Sequence, residues 1–249
     1  MKASAPFIWH GGARAAVSLT FDDTRPSQLD HGLPVLNEYG IRATFYASLP
    51  SLRKRARDWR RAAREGHEIG NHGLVHACSG SFNWSRGKNA LENYTLARMK
   101  RELMAASLVV RRTVGIAPRT FAYPCGQTNL GRGGAYRSFV PVVGKLFLAG
   151  RGFLWEVHNH PDYCELGHLA GFFSDGYTLK QYLARLEAAV ADGGWAIYCG
   201  HDVGKDHGYQ TTVVRELDVF CRHLAKRHDV WTAPVAEIAG WLKARRPGV

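Results

Sequence analysis

The sequence predicts an α/β fold, a largely parallel sheet of the barrel kind, and three observations carry that expectation. Short apolar runs alternate with stretches of helical periodicity, the pattern of successive βα units. The length of 249 residues suits one α/β barrel. Polar residues able to do chemistry recur directly after the apolar runs, where a parallel barrel gathers all its strand ends on one face.

In chain order, Ala15–Phe21 reads as a first strand and Gln28–Tyr39 as the helix after it. Arg42–Ala47 is a second strand, followed by a helix within Arg57–Glu65, and His67–Gly70 a short third strand. A long amphipathic helix spans about Glu92 to Val114, then Thr120–Tyr123 and Phe147–Ala149 read as strands. Leu179–Ala191 is a helix, Trp195–Cys199 a strand, Val213–Lys226 a helix, Val230–Thr232 a last strand and Ala236–Arg245 a closing helix. With no repeat, low-complexity tract or linker, residues 1–249 are expected to form one domain with core motifs over 15–202.

A hydrophobic fraction of 45% and a charged fraction of 22% match an ordinary globular protein with a buried core. No apolar run reaches membrane-spanning length, and Met1 to Ala16 lacks the hydrophobic segment of a leader. The expectation is a cytoplasmic chain, or an extracellular or periplasmic one if a leader has been removed. Five scattered cysteines without a CxxC pair argue against a disulfide framework; the odd count favours reduced thiols, with a single bridge left open. The net charge of +12 gathers over Arg53 to Arg64, read as a helix with a basic face, and Lys243 to Arg246. Neither segment has the basic-aromatic interleaving of a nucleic-acid platform, so a solvated basic surface is expected and no specific nucleic-acid partner.

Asp22 and Asp23 follow the first strand, His72 and His76 the third, Tyr123-Pro124-Cys125-Gly126 ends the fourth, and His201 follows Trp195–Cys199. Singly these are weak. Paired carboxylates after a strand usually make a turn or helix cap, and one histidine is usually a hydrogen-bonded core residue. His72 and His76 have the i, i+4 spacing that puts two imidazoles on one helical face, suited to zinc, but 12 histidines make a chance pair unsurprising. The ordered combination overturns these bland readings.

That combination resembles the NodB-type polysaccharide deacetylases, carbohydrate esterase family 4. Leu19-Thr20-Phe21-Asp22-Asp23 looks like the first family motif and Gly66 through His76 like the second. Phe121-Ala122-Tyr123-Pro124-Cys125-Gly126 corresponds to the third and Ile197-Tyr198-Cys199-Gly200-His201-Asp202 to the last. The resemblance implies a distorted (β/α) barrel and a metal-dependent hydrolase removing acetyl groups from a carbohydrate. It implies Asp23, His72 and His76 as ligands of a divalent metal, zinc before cobalt, manganese or nickel. Asp22 would be the general base, His201 the general acid kept charged by Asp175, and the Cys125 N–H an oxyanion donor.

Two departures stand out. Gly73 replaces the usual Ser or Thr of the second motif. Ala122 stands where the third motif normally has an arginine that orients the base; Arg151, after the apolar run Phe147–Ala149, reads either as its substitute or as a surface arginine preceding a Gly turn. Cys125 takes the place of a tyrosine, and a small neutral packing role is expected for its thiol over a reactive one. Residues 127–174 read as a substrate loop or simple turns, with a second metal at His158-Asn159-His160-Pro161 the sharper alternative. Trp84, Trp155 and Tyr163 would stack on sugar rings or lie in the core.

N-acetyl hydrolysis leads. O-acetyl ester cleavage or hydrolysis of a small amide or cyclic ureide keeps the fold and changes the bond. A silent carbohydrate-binding protein is the non-enzymatic alternative, opposed by the complete acid, base and ligand set.

Overall fold

A computed structural model of the protein describes residues 7–246; the first six residues of the Met1–Ala16 segment lie outside them. Eight parallel strands form the main sheet: β1 (Ala15–Asp22), β2 (Thr44–Ala47), β3 (Glu68–Asn71), β4 (Thr120–Ala122), β5 (Ala149–Arg151), β6 (Phe172–Phe173), β7 (Trp195–Gly200) and β8 (Val230–Thr232). Their order is β5-β4-β3-β2-β1-β7-β6, and β8 pairs with the start of β1 through Ala15↔Val230 to Val17↔Thr232. The free edges of β5 and β6 are drawn together by Leu169, which bridges to Arg151 and exchanges backbone hydrogen bonds with Gly150 and Gly152 at 2.7 Å. The sheet thereby curls into a distorted barrel.

Eight helices accompany these strands among the described residues: α1 (Leu33–Glu38), α2 (Leu49–Lys54), α3 (Ala56–Arg64), α4 (Leu96–Val114), α5 (Val140–Leu146), α6 (Leu179–Asp192), α7 (Val214–Leu224) and α8 (Val235–Arg245). None is long and apolar enough to cross a membrane.

Strand periodicity sorts the core into two faces. Val17, Leu19 and Phe21 of β1 join Phe45 of β2, Ile69 of β3 and the inner sides of α1, α3, α6 and α7 in the outer layer. The alternate residues point into the barrel, where Ser18 and Thr20 donate to the carbonyls of Ala233 and Tyr198. All eight residues of β1 are buried, as a strand covered on both faces must be. Gly70 is a packing requirement: a Cβ there would stand 2.5 Å from the Tyr46 ring of its cross-strand partner.

Several boundaries differ from the sequence reading. The first helix opens with a π-type turn over Gln28–Gly32. The basic stretch is two helices broken at Arg55 (φ −122°, ψ 37°), and Arg55 and Arg61 are paired with Asp30, Asp58 and Glu65. The long helix starts at Leu96 because Thr95 caps it, accepting from the Arg98 N–H. The apolar run at Phe147 precedes the strand, which occupies Ala149–Arg151 because Val140–Leu146 is helical up to that point.

Candidate active site

The inward face of each strand, extended to its C-terminal end, delivers one functional side chain. Thr20 and Asp22 share the face of β1; Gly70 leads to His72, Ala149 to Arg151 and Cys199 to His201, each two residues on. Asp22, Asp23, His72, His76, Cys125 and His201 all line one cavity of about 640 Å³.

Asp22 is buried, and its carboxylate receives the Arg151 guanidinium. Arg151 is fully buried. One of its nitrogens also donates to the Gly152 carbonyl at 3.1 Å, and its guanidinium lies 4.9 Å from the Tyr46 ring centroid. Gly171 leaves room for this side chain, since a Cβ there would sit 2.8 Å from Arg151 Cδ. Burial alone would push the Asp22 carboxyl up, but Arg151, His72 and His201 outweigh it and hold the group well below the usual carboxylate range. In the β4–β5 register Arg151 pairs directly with Ala122. The arginine absent from the third motif is thus replaced by one from the adjacent strand, at the same level of the barrel.

Asp23, His72 and His76 form a cluster whose ligand atoms lie within 4.8 Å of one another. Asp23 Oδ1 is 3.9 Å from His72 Nε2 and 4.0 Å from His76 Nε2. Asp23 and Thr24 leave β1 with φ of 74° and 46°, left-handed backbone that costs free energy in non-glycine residues and that the surrounding packing must hold. The histidines do not share a helical face: a turn brings them together, with Gly73 at φ 83° and His76 at φ 51°. Asn71 stabilises that turn by accepting from the Gly73 N–H at 2.7 Å while its amide donates to α4. His72 Nδ1 lies 2.9 Å from the Ala122 carbonyl; the acceptor calls for a proton on Nδ1, which leaves the Nε2 lone pair facing Asp23. Burial and the neighbouring His72 push His76 down to about 4, so its imidazole is neutral near pH 7. Two imidazoles and a carboxylate fit a divalent metal of the zinc kind.

His201 and Asp175 are both buried, joined through His201 Nδ1 and Asp175 Oδ2 at 2.6 Å. The other oxygen, Oδ1, accepts from the His201 N–H and from Thr212 Oγ1, each at 3.0 Å. Burial lowers the His201 pKa, but the Asp175 hydrogen bond and the charge of Asp22 overcome that and raise it. Cys125 occupies a turn over Pro124–Gly126 with φ 52°. The turn's own hydrogen bonds use the Gly126 and Gln127 N–H groups, leaving the Cys125 N–H outside them.

Other residues of the site had no clear signal in the sequence. Arg25 binds Asp23 at 3.1 Å, Asp202 at 2.6 Å and Gln210 at 2.8 Å. Buried Gln28 donates to the carbonyls of both Asp22 and His201, at 2.5 and 2.8 Å, fastening the Asp22 and His201 segments together. Phe153, Leu154 and Phe173 give the cavity an apolar wall. Only an excess of polar residues after the first strand hinted at Arg25 and Gln28.

Of the three aromatic residues singled out, Trp84 lines the cavity, stacked near Phe82 at 4.6 Å. Trp155 packs on His168, and Tyr163 is 84% exposed beside His160. His158 pairs with Asp192 at 2.7 Å and His160 stands near Asp162, so the two do not converge on a second metal site. The other group of metal-competent side chains among the described residues is His76, Cys78 and Cys125.

Comparison with known proteins adds an independent line. The polysaccharide deacetylase family model matches residues 11–133, which contain Asp22, Asp23, His72, His76 and Cys125 but not Arg151, Asp175 or His201. A gellan lyase from a Bacillus species is 29% identical over 120 residues, 48% of this chain and 4% of that protein. The chain also spans only 27% of a second curated relative, the uncharacterized protein YlxY of Bacillus subtilis. Among solved structures, an allantoinase, Puue, superposes with a TM-score of 0.69 at 15% identity, covering 97% of this chain and 94% of the other. The peptidoglycan deacetylase PdaC of Bacillus subtilis gives 0.56 at 18% identity, covering 93% of each. These two likenesses concern the fold alone. Residues 11–133 thus match the polysaccharide deacetylase family, and the site they begin is completed by Arg151, Asp175 and His201 from beyond the match.

Proposed function

We propose that the protein is a metal-dependent hydrolase that removes N-acetyl groups from a carbohydrate. The observation that carries this reading is the convergence in one cavity of a metal-competent triad, an ionised carboxylate and an imidazole whose affinity for a proton is raised.

Asp23, His72 and His76 would hold the ion, which when bound supplies Lewis acidity toward the acyl carbonyl and an acidified water. Asp22 takes the proton from the attacking water. Arg151 occupies its Oδ1, so Oδ2 is the oxygen left for that proton, and it lies 3.9 Å from His72 Nε2. The Cys125 N–H donates to the oxyanion as the carbonyl carbon becomes tetrahedral. His201, with Nδ1 engaged by Asp175, presents Nε2–H to the departing nitrogen and protonates it as the C–N bond breaks. Trp84 and the apolar wall of Phe153, Leu154 and Phe173 exclude water around the acyl group.

The test is acetate release from chitooligosaccharides, peptidoglycan fragments, acetylated xylan and small N-acetyl compounds. Release from the amino sugars supports the reading. Turnover confined to acetylated xylan, or to small amides and cyclic ureides, moves the assignment to the other bond types on this fold. The superposition on an allantoinase is the reason to include ureides.

A further inference from the structure

We infer that Cys78 and Cys125 are a redox pair that closes into a disulfide across the rim of the active-site cavity. Their sulfurs lie 2.8 Å apart, although 47 residues separate them in sequence. Cys78 is buried, with its backbone held on both sides: its N–H donates to Ser85 Oγ at 2.8 Å, and its carbonyl accepts from Ser85 Oγ and from the Leu91 N–H. Cys125 is half-buried and lines the cavity. One thiol is therefore reachable by a small oxidant and the other waits behind it, the arrangement of an attacking and a resolving cysteine.

The competing use of these sulfurs is a second metal site with His76, whose Nδ1 is 3.7 Å from Cys78 Sγ. Geometry disfavours it. Two thiolates on one tetrahedral zinc, at about 2.3 Å each, stand roughly 3.8 Å apart. A disulfide needs the sulfurs to close instead to about 2.05 Å, an approach of under ~1 Å from where they stand. A hydroperoxide is an oxidant small enough for the cavity. The Cys125 sulfur attacks one peroxide oxygen, the O–O bond breaks, water leaves, and Cys125 becomes a sulfenic acid. The Cys78 sulfur then attacks the Cys125 sulfur, the S–O bond breaks, and a second water carries off the hydroxyl and the remaining thiol proton. Two sulfurs lose two electrons and one peroxide gains them. The bond ties the segment after His76 to the turn bearing the Cys125 N–H, and it shields Cys125 from irreversible oxidation. The pair is independent of what the cavity hydrolyses.

The test treats the reduced full-length protein with hydrogen peroxide, blocks the remaining thiols under denaturing conditions, and reads intact mass and peptide maps. The expected product has lost two blockable thiols and two hydrogens, carries a single Cys78–Cys125 cross-linked peptide, and reverts with dithiothreitol. Cys78→Ser should instead accumulate a Cys125 sulfenic acid trapped by dimedone, and Cys125→Ser should leave Cys78 reduced. Circular dichroism establishes that both variants are folded. The inference is overturned if Cys125 in the wild type runs on to sulfinic acid while Cys78 stays free. It is equally overturned if cobalt-substituted protein shows sulfur-to-metal charge-transfer absorption that disappears in either serine variant.

Discussion

Two carboxylates are buried beside the same cavity, each against a basic partner, and the two pairs are arranged to opposite ends. In the Asp22–Arg151 pair the carboxylate lines the cavity and the cation lies behind it, fully buried. In the His201–Asp175 pair the imidazole lines the cavity and the carboxylate lies behind. The first pair exposes a carboxylate kept ionised at rest, because a guanidinium does not give up its proton. The second exposes an acid whose proton is held by the anion behind it. In the proposed mechanism, which member faces the cavity, and not the kind of pair, sets the role.

That comparison can be broken in several ways, the largest effect first. Replacing His72 and His76 together with alanine should abolish metal binding outright, read by elemental analysis; full occupancy in the double variant would remove both from the ligand set. Asp22→Asn and His201→Ala should each lower turnover by roughly 10²–10⁴-fold with metal content unchanged. Near-wild-type turnover in either would sink the role given to it.

Arg151→Met should cost on the order of 10²-fold, at the top of what supporting partners contribute. Without the guanidinium the Asp22 pKa rises, so the acidic limb of the rate profile moves to higher pH. The stranded carboxylate should also lower stability by about 3–5 kcal/mol. An unmoved limb would reduce Arg151 to a packing residue. Asp175→Asn acts on the other limb. The His201 pKa, raised by Asp175, falls when the anion is removed, so activity should be lost at lower pH on the alkaline side, with a drop of about 10-fold at neutrality. The smallest effect is expected of Arg25→Gln, which frees Asp23 without removing it: about a 10-fold weaker metal affinity, read by competition with a chelator.

The strands and their end residues were legible because period-two burial and a strand-end polar residue coincide on one inward face. β1 through β4 and β7 read correctly to within two residues at each boundary. The His72–His76 spacing pointed to two side chains that the structure does bring together, but by way of a helix that is absent; four residues also suffice for a turn with Gly73 and His76 in left-handed backbone. α2 was missed because Pro50 sits in its first turn, where proline is tolerated but reads locally as a breaker. β6 is two residues long, too short to show any period. Arg25, Gln28 and Gln210 act through contacts between segments distant in sequence, and linear spacing carries no trace of such contacts.

The register that sets Arg151 beside Ala122 has a consequence for how such chains are classified. Scored letter by letter, the third motif of this protein is degenerate, and a chain with that defect would be filed among the dead relatives. What the Asp22 carboxylate receives is a guanidinium at one level of the barrel wall, and here the strand next to the third motif supplies it. Asking which side chain occupies that place, strand by strand, says more about the Asp22 carboxylate than comparing consecutive letters does.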